Sequence, residues 1–377
     1  MLPTQEYKFL RLVCLALLAG LLVFGLWPFN FFPRNRVEWQ ANGDGVHFYG
    51  HSQIYAIAPW KTEERSSPSA NHSFSIEIWL KPDQLYSWGT ILSIVDPSRP
   101  DNLRIDQSLT DLVLRGDFQD PTLQSGFRPV WAGEIFKQGQ TRFVTITSGP
   151  QGTTVYLEAV RQERYSYVPV AGNLDGRLLI GHSASGGNAW AGTLLGLAIY
   201  DREFTPEEVG RHYQAWSENR AAELVKAEGI LALYPFDERD GNLVRNHAGS
   251  MPDLIIPPRF HILHRRFLAD PSTLRPSDLP DTVINILGFV PFGWFVAFYF
   301  SRALHLPRSK AIIWTVILGG MTSFLIEFLQ AYLPTRDSSY LDLINNILGT
   351  ALGSMLMERI PWAARYFTRA NSIPDRV

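Results

Sequence analysis

The chain has 377 residues, with 34 lysines and arginines against 36 aspartates and glutamates, a formal net charge of −2. Near-neutrality without a basic patch excludes nucleic acid as a partner, because phosphate binding rests on a cationic surface. A single cysteine, Cys14, excludes a disulfide framework and a cysteine-ligated metal site.

These averages conceal apolar ends around a water-soluble middle. At the start, Lys8 and Arg11 flank the beginning of an apolar run from Phe9 to Trp27, close to the length that crosses a bilayer core. The run ends in Trp27, Pro28, Phe29, Asn30, Phe31 and Phe32, an aromatic interfacial belt, and shows no small-residue cleavage site. Residues 1–33 are therefore expected to form a retained signal-anchor helix, with Cys14 as a small packing residue inside it.

Residues 34–258 read as an all-β domain. Phe74, Ile76, Ile78 and Leu80 alternate with Ser75, Glu77, Trp79 and Lys81, the period of a strand with one buried face. Phe143–Thr147, Val155–Leu157 and Leu178–Ile180 are further short strands between turn clusters, a pattern that predicts a β-sandwich. Thr205-Pro206-Glu207-Glu208 is a capping box that starts a helix running to about Trp216 and resuming through Ala221–Val225.

Two kinds of candidate site lie in this domain. Trp88, Trp131 and Trp190 offer flat faces for sugar stacking, or core packing. Asp237 and Asp240, or Asp96 and Asp101, offer oxygen ligands to calcium, or are solvated turn residues. Hydrolysis of a glycan needs paired carboxylates flanking the scissile bond. No closely spaced Glu-x-Asp-x-x-Glu strand motif is present, so binding is favoured over hydrolysis.

Phe74–Pro82, Gly192–Asp201, Phe204–Val209 and the segment Ala232–Asp237 with Gly241 resemble the concanavalin A-like, laminin-G-like jelly-roll domains over about Val37 to Ile256. In those domains the strand resembling Ala232–Asp237 often stands near the beginning; here it comes late.

Residues 259–280 are proline-rich and basic and read as a semi-rigid connector. His261 and His264 within it lack a third metal ligand nearby in sequence. Three further spans are expected, at Thr282–Phe300, Ala311–Leu333 and Leu341–Met357, the last short and relatively polar. Arg302, Arg308 and Lys310 lie between the second and third spans, and Arg359, Arg365 and Arg369 follow the fourth. The positive-inside rule places these groups, with both termini, in the cytoplasm and the β-domain outside; residues 361–377 form the tail.

Polar residues recur in these spans at spacings of three and four, which share a helix face. The stripes are Asp281, Asn285, Gly288 and Phe292; Ser323, Glu327, Gln330 and Pro334; and Asp342, Asn346, Gly349 and Gly353. Polar groups within spans default to a functional-site hypothesis. The stripes are expected to face one another over residues 281–360, gathering the carboxylates and Arg336 at the outer end. Glu327 and Asp342 are the candidate acid and base, and Asp281, Asn285, Gln330, Arg336 and Asn346 the candidate ligand-binding residues. A structural network holding the helices together is the competing reading.

These stripes, with Pro291-Phe292-Gly293, resemble the VanZ-like membrane family, named after an accessory glycopeptide-resistance protein, over about Arg259 to Ile360. The first span resembles that family's opening helix. The resemblance implies a bacterial cytoplasmic-membrane location with a cell-envelope role. The expectation is thus a multi-domain membrane protein, a four-helix transmembrane bundle with an inserted all-β jelly-roll sandwich. Its expected job is to bind an envelope glycan or polysaccharide, coupled to a membrane site for a lipid-linked or antibiotic head group. The alternatives are a membrane enzyme acting on a lipid-linked phosphate or sugar, and a protein-binding scaffold. Membrane lipid and an envelope glycan, polysaccharide or protein are the expected partners. No cofactor is implied beyond calcium in the sandwich.

Overall fold

The computed structural model describes residues 4–41, 43–61, 72–85, 88–116, 118–119, 129–169, 174–184, 189–265, 267–269 and 279–358. In chain order, α1 (Thr4–Leu26) precedes β1 (Val37–Trp39), β2 (Val46–Tyr49), β3 (Ile54–Ala56), β4 (Phe74–Pro82) and β5 (Trp88–Asp96). Next come β6 (Arg99–Ser108), β7 (Asp111–Gly116), β8 (Phe118–Gln119), β9 (Val130–Ala132), β10 (Arg142–Gly149) and β11 (Gly152–Leu157). They are followed by β12 (Val160–Tyr165), β13 (Val168–Pro169), β14 (Arg177–Ile180), β15 (Ala191–Tyr200) and α2 (Pro206–Ser217). The chain continues through β16 (Ile230–Tyr234), β17 (Leu243–Val244) and β18 (Leu254–Ile255) to α3 (Leu279–Arg302), α4 (Arg308–Gln330) and α5 (Tyr340–Met355). These elements form two compact units, one holding α1 and α3 to α5, the other spanning Phe32–Arg265.

The second unit is a sandwich of two antiparallel sheets. One is ordered β1-β2-β15-β4-β10-β11-β12, with β16 also on β15; the other is β17-β18-β3-β14-β5-β6-β7-β9. The late strand flagged by the jelly-roll resemblance is β16, and its pairing of Leu197 with Tyr234 adds it to the first sheet. Long-range pairing therefore absorbs its displacement in the chain. Phe74, Ile76, Ile78 and Leu80 of β4 enter the core between the sheets, together with Ile54, Ile94, Leu103 and Ile105. Each such aliphatic side chain contributes roughly 1.5–3 kcal/mol by leaving water.

The expectation of a single buried face on β4 is corrected, because Ser75 and Glu77 are also fully buried. α2 covers that outer face through a second apolar cluster that includes Tyr200, Phe204, Val209 and Trp216. Burying Glu77 requires partners. Its carboxylate accepts hydrogen bonds from the Tyr200 hydroxyl (3.1 Å), Trp216 Nε1 (3.1 Å) and His212 Nδ1 (2.9 Å). The Thr205 capping box that launches α2 forms as expected. The predicted resumption at Ala221 is a 3-10 helix, Ala221–Lys226, rather than α-helix.

The two ends of the sandwich are pinned side by side. Buried Asn35 donates to the Pro257 carbonyl at 2.8 Å, its backbone N–H donates to Pro258 at 3.2 Å, and Phe260 N donates to Pro33 at 2.9 Å.

In the helical unit, α1, α3 and α4 are long and apolar enough to cross a membrane. The four-span expectation is corrected to these three candidates. α5 has 16 residues, about 24 Å at the helical rise, short of a hydrocarbon core of about 30 Å. Small residues bring α5 against α3. A Cβ on Gly349 would meet the Ile286 carbonyl oxygen at 2.2 Å, and one on Gly293 would meet that of Thr350 at 2.2 Å. Such contact lets backbones approach where lipid removes the hydrophobic drive between helices. Cys14 packs, as expected, in the apolar cluster of Leu26, Phe289, Phe292 and Ile326.

Candidate functional site

Polar groups collect around the start of α5 and the end of α4. Glu327 is 1% exposed and accepts a hydrogen bond from Ser339 N at 2.8 Å, with the Ser338 hydroxyl also bonded to it. Ser339 caps α5, accepting from Leu341 N at 3.2 Å and Asp342 N at 3.4 Å. One serine thus ties both carboxylate-bearing turns together. Asp342 Oδ1 accepts from Asn285 Nδ2 at 2.7 Å, linking α5 to α3. One turn along, Asn346 Nδ2 donates to Ser323 Oγ at 3.0 Å, linking α5 to α4. Gln330 Nε2 donates to the Gly25 carbonyl of α1 at 2.8 Å.

The α4 stripe is buried along Ser323, Glu327, Gln330 and Pro334, and the α5 stripe at Asn346, Gly349 and Gly353. On α3 the stripe divides. Asn285 and Phe292 face inward, whereas Asp281 and Gly288 are exposed and a Cβ on Gly288 would meet nothing. Arg336 does not join the carboxylates. It is exposed, its Nε donates to the Trp27 carbonyl at 3.2 Å, and among the described residues no ion pair connects it to Glu327 or Asp342. Asp342 instead feels the negative charge of Asp281, and Glu327 that of Asp342. Ser338 and Ser339 were not singled out from the sequence, although Ser339-Tyr340-Leu341-Asp342 has the Ser-x-x-Asp form of a helix start. Asn345, Thr315 and Thr350 are likewise buried polar groups of this bundle.

In the sandwich, two of the three candidate sugar-stacking tryptophans meet at the surface. Trp88 on β5 and Trp131 on β9 are 43% and 37% exposed, their ring centroids 6.0 Å apart and edge to face. Arg115 of β7 lies over Trp88 at 5.5 Å. Trp131 is fixed from both sides, donating Nε1–H to Asp111 Oδ2 at 2.8 Å while its carbonyl accepts from the Tyr165 hydroxyl at 2.6 Å. Burial alone would raise the Asp111 carboxyl, but hydrogen bonds from Glu134 N, Trp131 and Thr110 outweigh it and hold the group below its ordinary value. Trp190 is a core residue, 0% exposed, with Nε1 bonded to Gln107 Oε1 at 2.8 Å. It offers no face to a sugar.

The acidic turn takes a different composition from the expected pair. Donor atoms of Asp237, Glu238 and His247 lie within 4.8 Å of one another, and Asp240 is outside this group. One nitrogen and two carboxylates do not match calcium, which takes six to eight oxygens. Asp96 accepts from Ser98 N at 2.9 Å in a local turn, and the side chain of Asp101 lies outside the described residues. Neither His261 nor His264 belongs to a three-ligand group among the described residues. Arg359, Arg365 and Arg369 also lie outside the described residues.

Residues 60–210 match the family described as the concanavalin A-like lectin/glucanases superfamily, and residues 211–361 match VanZ/LLP1. The matches follow one another along the chain, the lectin-like one first, so they show no membrane-family match ahead of the sandwich and no interruption of one by the other. Their boundary falls within α2, although the sandwich unit continues to Arg265. Among curated proteins none matches. Among solved structures, a heptameric pentraxin from Limulus polyphemus is similar at 14% identity and a TM-score of 0.34, over 48% of this chain and 79% of that one. A putative carbohydrate binding protein from Bacteroides ovatus is similar at 11% identity and a TM-score of 0.38, over 58% of this chain and 61% of that one. The sialidase of Trypanosoma rangeli is similar at 16% identity and a TM-score of 0.33, over 46% of this chain and 28% of that one.

Proposed function

We propose that this chain, which joins a concanavalin A-like lectin/glucanase-type domain to a VanZ/LLP1 membrane domain, is a cell-envelope receptor for glycan. The observation that carries this reading is the exposed pair Trp88 and Trp131, braced by Asp111 and Tyr165. Exposed aromatic rings suit the apolar face of a sugar ring, and Trp131 loses little order on binding because hydrogen bonds already fix it.

In this reading the lectin-like sandwich precedes the VanZ/LLP1 helices α3 to α5 along the chain, and is not an insert within the membrane family's own match. The basic residues Lys8, Arg11, Arg302, Arg308 and Lys310 set the cytoplasmic side of a bacterial membrane, which leaves the sandwich and the Glu327 end of the bundle outside. There the polar cluster takes the head group of a lipid-linked molecule delivered by the glycan contact.

The test is a glycan array probed with the full chain in lipid nanodiscs. Saturable binding of one envelope polysaccharide, weakened roughly tenfold in each of the Trp88→Ala and Trp131→Ala proteins while both remain folded, is the expected outcome. Absence of binding across bacterial envelope glycans would overturn the receptor reading.

A further inference from the structure

The Glu327 cluster is rich in oxygen acceptors, and among the described residues no basic side chain is paired with it. Three carboxylates, Asp281, Glu327 and Asp342, stand at this end of the bundle, and among the described residues none is paired with a basic side chain. The amide groups are turned the same way. Asn285 gives its nitrogen to a carboxylate and Gln330 gives its nitrogen to a backbone carbonyl, and since both partners only accept, chemistry fixes these two orientations. Gln330 Oε1 and, with Asn346 Nδ2 on Ser323, Asn346 Oδ1 are left buried without a partner. The two residues are 9% and 4% exposed. Orphaned buried acceptors of this kind call for an explanation such as an ion. Asn345, three residues from Asp342, has a buried Nδ2 without a partner.

An anion is disfavoured here, because it would meet like charge in a low-dielectric setting. Arg336, the one guanidinium expected to clamp a phosphate, is exposed and engaged with Trp27. The geometry points to a cation site: Glu327, Asp342, Asn346 Oδ1 and Gln330 Oε1 form an oxygen-lined receptor for a positively charged group, either a hard metal ion or a primary ammonium. Hard cations take carboxylate and amide-carbonyl oxygens, and an ammonium group donates hydrogen bonds to the same atoms. This assignment rests on the reading of the helical cluster as a ligand site and is independent of glycan binding by the sandwich.

The test is thermal unfolding of the full chain in detergent, titrated at constant ionic strength with calcium chloride, magnesium chloride or ethanolamine hydrochloride against choline chloride. A ligand that binds only the folded state raises the transition temperature with a saturating dependence on concentration. The expected result is a saturable rise with one of these probes, its half-saturation shifted at least about tenfold by Glu327→Gln and by Asn346→Leu. A rise with a metal identifies an ion, and a rise with ethanolamine alone identifies an ammonium group. Asn346→Leu keeps both carboxylates and serves if Glu327→Gln does not fold, and Asp237→Asn controls for ion binding by the sandwich. No rise with any probe, as expected if the carboxylates are merely protonated, or a rise undiminished in the cluster variants, overturns the assignment. Glycan binding on the array stays intact in either case, so the two readings fail separately.

Discussion

Gly353 of α5 faces the Val290 carbonyl of α3 so closely that a Cβ would sit 2.0 Å from the oxygen. Backbone cannot yield as a flexible side chain can, so any larger residue must force the helices apart. Gly353→Leu is expected to cost at least about 1–3 kcal/mol of overpacking, seen as a lower unfolding temperature of the helical unit in detergent. Gly288→Ala, at a position where nothing lies within 4 Å, is expected to leave it unchanged or slightly raised. Equal loss in both variants would contradict the close-packed α3–α5 seam.

Glu77 holds α2 onto the sheet. Glu77→Ala leaves the donors of Tyr200, Trp216 and His212 without their acceptor in a buried layer. The expected loss is about 3 kcal/mol, at the upper end for an unsatisfied buried group, read by urea unfolding followed through near-ultraviolet circular dichroism. A loss below about 1 kcal/mol would show that water enters and replaces the carboxylate.

The sandwich is expected to lose stability in mild acid through His182. Burial drives this imidazole down to about 4 from its ordinary 6.5, helped by the nearby His51, while its hydrogen bond to the Ser183 carbonyl opposes the shift. Below 6.5 the unfolded chain takes up a proton that the folded chain refuses, so the stability is fully present above 6.5. It falls as pH drops from 6.5 toward 4, by roughly 3 kcal/mol at most. His51, lowered by burial, adds with the same sign. Urea midpoints at several values across that window check this, and His182→Asn is expected to flatten the slope.

Three tryptophans separate packing from recognition. Trp190→Ala is expected to cost about 3–5 kcal/mol because it empties a fully buried site. Trp88→Ala and Trp131→Ala are expected to cost about 1 kcal/mol or less while weakening glycan binding roughly tenfold each, as central aromatic anchors do. Unfolding temperature and array binding, measured on the same preparations, distinguish the two classes.

Much of this architecture is legible in local pattern. Alternation marks β4, the Thr205 box marks α2, and long apolar runs mark α1, α3 and α4 to within a few residues. The helical spacing of Ser323, Glu327 and Gln330 identifies a face that is in fact buried. Where reading fails, a neighbour distant in sequence decides. Ser75 and Glu77 look like solvent-facing positions, and they are buried because α2 arrives from beyond β15 to cover them. Trp190 looks like Trp88 and Trp131 in composition, but its place in the fold puts it in the core between the sheets. Arg336 looks like a partner for Glu327, and the backbone carbonyl of Trp27 takes it instead.

Periodicity follows from the geometry of a single helix or strand, so the chain's own pattern is enough to specify which segments are apolar and which face of each is special. Burial and pairing depend on what stands opposite. Ser339 ties the turns that carry Glu327 and Asp342 together, and Arg336, placed against the Trp27 carbonyl, pairs with neither carboxylate. Charge balance at a buried site is a sum over neighbours, and those neighbours are assigned only when the helices pack.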